Sequence, residues 1–322
     1  MTRRIMALAW ALSAIIFTSE LASAQSYPNK PIRVIVPFSA GSSVDIVARI
    51  VMEQLSQQLG GPIVVENRPG AGGVIGIRSV AKAEPDGYTL LVQSASFAVV
   101  ATTNSNPGYD SRKDLAGITA LVSMPNVLVV QPNKYKSVMD LVADAKANKG
   151  KMNYASPGVG TAGHLNAERF RMATGIEAQH VPYKGGPEGL TAVMQGDCAF
   201  YFIPLPAARA LVDSGKLSIL AVSGSSRSSQ LPNVPTTVES GVPNSAYDFW
   251  VGFWAPKGTP QDIIERLNAE ALKALRNPAT KAKLAAVGGD PQPMTPGDFD
   301  SFVSKEIDSN AALIKAAGVE IK

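Results

Sequence analysis

Three short loops in this sequence have the composition to hold an anion. The first, Phe38-Ser39-Ala40-Gly41-Ser42-Ser43, stands between a β-branched run and a helical pattern. Free backbone N–H groups and the positive dipole end of a starting helix suit a negative group. Gly41 permits close approach, and Ser42 and Ser43 add hydroxyl donors. Asp45 completes the spacing Ser42-x-x-Asp45, which resembles a capping box, so its carboxylate serves either the helix start or a ligand. The second loop is Ser156-Pro157-Gly158-Val159-Gly160-Thr161-Ala162-Gly163. Its glycines satisfy G-x-G-x-x-G between a strand and a helix, and Glu177 follows 19 residues after Gly158. A dinucleotide site of an oxidoreductase has that spacing, but the same glycines serve any small anion at a helix start. The third loop, Glu66–Gly73, fails the motif because Ile75 stands where its last glycine is needed, so tight turning and packing are its expected role. Other strand ends add Ser94 and Ser96, Tyr183 with Lys184, and Phe202 and Pro204 in the run Phe200–Pro204.

Groups that react are scarce. There is no G-x-S-x-G, no H-E-x-x-H, no Walker lysine loop and no C-x-x-C. The two histidines are His164, expected in the first turn after the second loop as an anion donor or a local cap, and His180, expected to be structural inside a strand. With a single cysteine, Cys198, they make no metal site of familiar type, and no cofactor is expected. The balance of 30 Lys+Arg against 26 Asp+Glu, without basic clusters, gives no reason to expect nucleic acid. Ordinary apolar content (45%) and a small net charge of +4 exclude a disordered chain, and 322 residues suffice for about two domains. A chain with donors that hold and little that reacts reads as a binding protein.

The elements that position these loops alternate. Strands are expected at Ile32–Phe38, Pro62–Glu66, Tyr88–Ser94, Asn126–Val130, Met152–Ser156, Glu177–Tyr183, Cys198–Ile203 and Leu217–Ser223. Helical spacing covers Val44–Leu59, Gly73–Ala83, Ser137–Asn148, His164–Thr174, Glu188–Gln195 and Leu205–Asp213. This βαβ rhythm predicts parallel sheet with helices on both faces. Ser223–Gly241 is an irregular Ser/Pro/Gly connection, after which Thr259-Pro260 and Thr295-Pro296 each open a helix. Residues 1–24 have the layout of a cleaved export signal. Arg3 and Arg4 precede an apolar run from Ile5 to Phe17, and Ala22-Ser23-Ala24 is the cleavage site.

The chain resembles the Bug family, the extracytoplasmic solute-binding proteins of tripartite tricarboxylate transporters. The stretches that carry the resemblance run in order across nearly the whole mature chain. They are Tyr27-Pro28 with Pro31-Ile32-Arg33, PFSAGSSVD (Pro37–Asp45), ENRPGAGG (Glu66–Gly73), PDGYTLL (Pro85–Leu91), YASPGVGTAGHL (Tyr154–Leu165), VPYKGG (Val181–Gly186) and WVGFWAPKGTP (Trp250–Pro260). The resemblance implies an α/β periplasmic binding protein fold of two α/β domains joined by crossing strands. Domain 1 would be residues 25–125 plus 246–322, and domain 2 residues 126–245. It implies a periplasmic receptor that closes on a small carboxylate and delivers it to membrane permease subunits; a sensor component with the same ligand is the alternative. The family's two pincer loops map onto Phe38, Gly41, Ser42 and Ser43, and onto Ser156, Gly158, Gly160, Thr161 and His164. Two departures stand out. Gly41-Ser42 replaces the family's usual pair of glycines, and the segment Phe200–Pro204 lacks the acid that the family often carries there. An amino-acid ligand would want that acid for its ammonium, so the expected ligand is a carboxylate with an apolar or aromatic body.

Overall fold

The computed structural model describes residues 27–103, 106–228 and 230–317; the expected export signal lies outside them. Two mixed sheets carry the chain. The first contains β1 (Ile32–Val36), β2 (Ile63–Asn67), β3 (Thr89–Ser94), β4 (Leu115–Met124), β10 (Phe249–Pro256) and the short β11 (Asp290–Pro291), in the order β11-β4-β10-β3-β1-β2. The second contains β5 (Asn126–Val130), β6 (Met152–Ser156), β7 (Ala178–Pro182), β8 (Phe200–Pro204) and β9 (Ser218–Val222), in the order β7-β6-β8-β5-β9.

The βαβ rhythm predicted parallel pairing, and β1 is parallel to β2 and β3, as β6 is to β7 and β8. The centre of each sheet departs from it. β10 runs antiparallel to both β3 and β4, and β5 antiparallel to both β8 and β9. Each of these strands enters its sheet from the other, β5 directly after β4 and β10 through an irregular connection, with no crossover helix before it. β4 and β10 were not legible as strands: both are buried over most or all of their length, so neither shows the alternation of a half-exposed strand.

Ser42 caps its helix as the sequence placed it, whereas Thr259 does not: its hydroxyl donates to Pro256 O, and the helix there starts at Gln261 with Pro260 at the cap position. α1 (Ser43–Leu59) starts at Ser42, whose Oγ accepts the Asp45 N–H at 3.3 Å, and ends on Gly60 at φ +70°. A 3₁₀ turn (Ala71–Gly73) leads into α2 (Val74–Ala81). α3 (Ser96–Thr103), unforeseen in the sequence, follows β3 within two residues. In the second half come α4 (Val138–Ala147), α5 (Ala162–Thr174), α6 (Gly186–Gln195) and α7 (Leu205–Asp213). The carboxyl-terminal part adds α8 (Gln261–Arg276), α9 (Pro278–Ala286) and α10 (Pro296–Ala317). Asn277-Pro278 both stops α8 and caps α9. Trp254 and Phe97 stack at 4.6 Å in the core of the first sheet. A side chain of that size contributes roughly 1.5–3 kcal/mol when buried.

The connections between sheets lie side by side. The Leu205 N–H donates to Pro125 O, the Ser223 N–H to Asn126 O, and the Tyr247 N–H to Ser223 O. Asn166 Nδ2 of α5 donates to Ser223 Oγ at 2.8 Å, and that hydroxyl donates to Tyr247 O. Cys198 is buried and free, its thiol pushed up in pKa by burial.

Candidate functional site

The parallel strands of both sheets point their carboxyl ends at one another, where loops that feed helices meet. Two neighbouring spaces with shared lining residues lie there. An outer cleft of about 800 Å³ is lined by Phe38, the glycine-rich turn Gly70–Gly73, Val100, Thr103, Pro157–Val159, Tyr183, Lys184 and Glu188 among others. An inner pocket of about 40 Å³ lies beyond Phe38 and Pro157, which line both spaces. Its walls include Ser42, Ser43, Val44, Ser94, Ser96, Gly163, Gly186, Tyr201 and Pro204.

Four helices start on the inner pocket: α1 at Ser43, α3 at Ser96, α5 through Gly163 and α6 at Gly186. The N–H groups of Ser43, Val44, Gly163 and Gly186, and the Ser43 hydroxyl, have no hydrogen-bond partner among the described residues. Each helix start favours a buried anion by roughly 0.3–1 kcal/mol, up to about 2 kcal/mol when partly buried. A hydrogen bond to a charged group adds roughly 1.5–3 kcal/mol. The pocket holds roughly three waters' worth of space, enough for a carboxylate group, so the rest of any ligand must occupy the outer cleft.

The sequence candidates divide into those on the walls and those behind them. Phe38, Ser42, Ser43, Ser94, Ser96, Phe202 and Pro204 line the inner pocket, and Phe38, Gly158 and Tyr183 the outer cleft. Tyr183 is more phenol than phenolate, its pKa pushed up to about 12, chiefly by burial. Gly41, Asp45, Ser156, Gly160, Thr161 and His164 lie on neither wall and instead hold the loops in shape. The Asp45 carboxylate is occupied by the Gly41 N–H (2.9 Å), Arg49 Nε (3.0 Å) and Asn67 Nδ2 (2.9 Å). Burial alone would raise its pKa; the bonds from Arg49, Gly41 and Asn67 outweigh that and hold it below the usual carboxylate range. Ser156 Oγ accepts the Gly158 N–H and sits 2.5 Å from His180 Nε2. Thr161 Oγ1 donates to Gly158 O and caps α5. His164 Nδ1 accepts the Gly160 N–H at 3.2 Å, so His164 caps locally and does not face the cleft. Both histidines stack with centroids 4.0 Å apart, so His180 supports this loop as well as its strand.

The third loop was expected to serve tight turning and packing, and it does so at a wall of the cleft. Gly70–Gly73 form one wall of the outer cleft. A Cβ on Gly72 would lie 2.5 Å from Val159 O of the second loop. The glycines are needed because two backbones approach there, and only tertiary structure shows the partner. Gln93 was also missed. It is fully buried, its Nε2 has no partner among the described residues, and it fills the place where Gly73 would carry a Cβ. Lys184 and Glu188 bring opposite charges to the outer wall, so an acid absent from Phe200–Pro204 is supplied by α6. Glu188 Oε1 accepts from Ser39 Oγ at 3.2 Å, joining the first loop to α6.

The dinucleotide spacing does not survive folding. β6 and β7 are parallel with Met152 opposite Ala178, so Glu177 lies at the opposite end of the strands from Gly158. Its carbonyl accepts the Gly150 N–H there.

A family profile described as "Tripartite tricarboxylate transporter family receptor" matches residues 47–319. The chain belongs to this family. Protein BugT of Bordetella pertussis is 37% identical over 303 residues, covering 93% of each chain. The R. palustris protein Rpa4515, solved with adipate, is 31% identical with a TM-score of 0.88, covering 91% of this chain and 98% of its own. MatC of Rhodopseudomonas palustris, solved with bound malate, is 27% identical with a TM-score of 0.85, covering 89% of this chain and all of its own. The receptor is a solute-binding protein of the Bug type with the two-sheet α/β architecture of periplasmic binding proteins. Among its described residues no helix is long and apolar enough to cross a membrane, and no group of three or more His, Cys, Asp or Glu side chains could hold a metal.

Proposed function

We propose that the receptor captures a small carboxylate in the periplasm and delivers it to the membrane subunits of a tripartite tricarboxylate-type transporter. The acid group enters the inner pocket and the body lies in the outer cleft. One observation carries this assignment: four helix starts, three of them with unpartnered N–H groups among the described residues, line a pocket of carboxylate size beside a larger cleft. Relatives solved with adipate and with malate support the ligand class. The outer walls from Phe38, Val100, Val159, Pro182 and Tyr183 suit an apolar or aromatic body. Lys184, with no ion pair among the described residues, could meet a second carboxylate of a longer diacid.

Residues 25–125 plus 246–322 and residues 126–245 act as the two closing bodies, with the side-by-side connections at Pro125-Asn126, Ser223 and Tyr247 as the hinge. Residues 1–24 direct export and are removed. The test is calorimetric titration of the chain from residue 25 with adipate, malate, benzoate, aspartate and NAD. Binding of an acid without an amino group is expected, tighter than aspartate. Binding of NAD alone, or of none of the acids, removes the assignment.

A further inference from the structure

Tyr201 lies on β8 with its side chain fully buried, and it lines the inner pocket. Its hydroxyl has no hydrogen-bond partner among the described residues. Buried polar groups in folded proteins are nearly always paired, so an orphan at the wall of a binding pocket points to a partner that arrives with the ligand. The ring cannot turn aside to find another one. A Cβ on Gly189 would lie 2.8 Å from Cε1 and 3.3 Å from Cζ, so α6 packs its bare backbone against the ring face. Burial, with the nearby Glu188 charge, pushes the phenol far above its ordinary pKa, so it stays protonated. The strand pleat sets Ile203 on the same face of β8, and it too lines the pocket without offering a polar atom.

We propose that Tyr201 is a specificity-determining residue, whose hydroxyl donates to an oxygen of the carboxylate seated in the inner pocket. This rests on the carboxylate assignment above. Its consequence is selection by chemical class. The phenol and the helix-start N–H groups all donate, and no carboxylate lines the inner pocket, so an ammonium beside the acid would meet no opposite charge there. Acids without an α-amino group are the class it takes.

The experiment compares wild type with Tyr201→Phe, using whichever of adipate, malate and benzoate binds wild type most tightly. The variant removes one unpartnered oxygen and leaves the ring. The unliganded variant should melt at the same temperature as wild type or higher, while its Kd rises at least tenfold. Wild type should also prefer adipate over 2-aminoadipate, and the variant should lose part of that preference. A Kd within twofold of wild type overturns the proposal, as does a variant that melts much earlier, because the hydroxyl would then serve the fold. Failure of wild type to bind any of the acids overturns the parent assignment and this proposal together.

Discussion

Ser96 Oγ accepts the backbone N–H of Ala162 at 2.8 Å, a buried bond that ties the start of α3 to the start of α5 across the cleft. The hydroxyl occupies the first amide of α5 as an anion would, so closure uses one helix N-terminus for the protein itself and leaves the next amide, Gly163, for a ligand. Ser96→Ala leaves the Ala162 N–H without its partner. It should cost about 1 kcal/mol of closed-form stability, which weakens ligand binding roughly five- to tenfold. Calorimetric titration with adipate checks this, and an unchanged Kd would mean the bond does not hold the closed form.

Gly72 and Gly160 both have left-handed φ, +66° and +70°, and both face the opposite sheet's loops. A Cβ on Gly72 meets the Val159 carbonyl at 2.5 Å, and one on Gly160 would clash with Thr103 Oγ1. Alanine at either site carries roughly 1–2 kcal/mol of backbone strain and also holds the loops apart. Gly175→Ala is the control, because its φ is the same +66° but nothing lies within 4 Å of the added Cβ. Small-angle scattering with saturating ligand should show incomplete closure for Gly72→Ala and Gly160→Ala and full closure for Gly175→Ala.

Asp45 is expected to stabilise the first loop in a pH-dependent way. Its folded pKa is depressed, so its contribution is present above the unfolded value of about 3.9 and is lost as pH falls through the folded value. Asp45→Asn should lower the melting temperature at pH 7, and its curve below about pH 4 should be flatter than wild type's. Parallel acid limbs in the two curves would show that Asp45 does not govern this loop.

His164 gives a window of opposite origin. Burial lowers its pKa, with Arg171 lowering it further against Glu168, and its ring stacks with those of Tyr154 and His180. The folded state therefore binds this proton less readily than the unfolded state, and stability falls as pH drops below about 6.5. Protonation of Nδ1 would also remove the acceptor for the Gly160 N–H. His164→Asn keeps a carbonyl oxygen near that amide and does not titrate. Its melting temperature should vary less than wild type's between pH 7 and pH 5, as differential scanning calorimetry can read.

Most strands and helices, the caps at Ser42 and Ser137, and the place of the first two loops between a strand and a helix start were legible in the sequence, because each depends on residues within a few positions of one another. So was the wall role of Phe38, Ser42 and Ser43, which follows from their place between β1 and α1. Long-range proximity was not legible. The closeness of Gly72 to Val159, the bond from Ala162 to Ser96 and the recruitment of Glu188 to the cleft join segments dozens of residues apart, and no local spacing records them. Glu177 shows the converse: its spacing from Gly158 suggested one site, and parallel pairing sends the two to opposite ends of a sheet. The chain alone therefore determined which loops end a strand and open a helix beside the cleft. The tertiary structure decided which of their groups line the pocket and which are spent on holding the loops, because each donor can serve only one partner at a time.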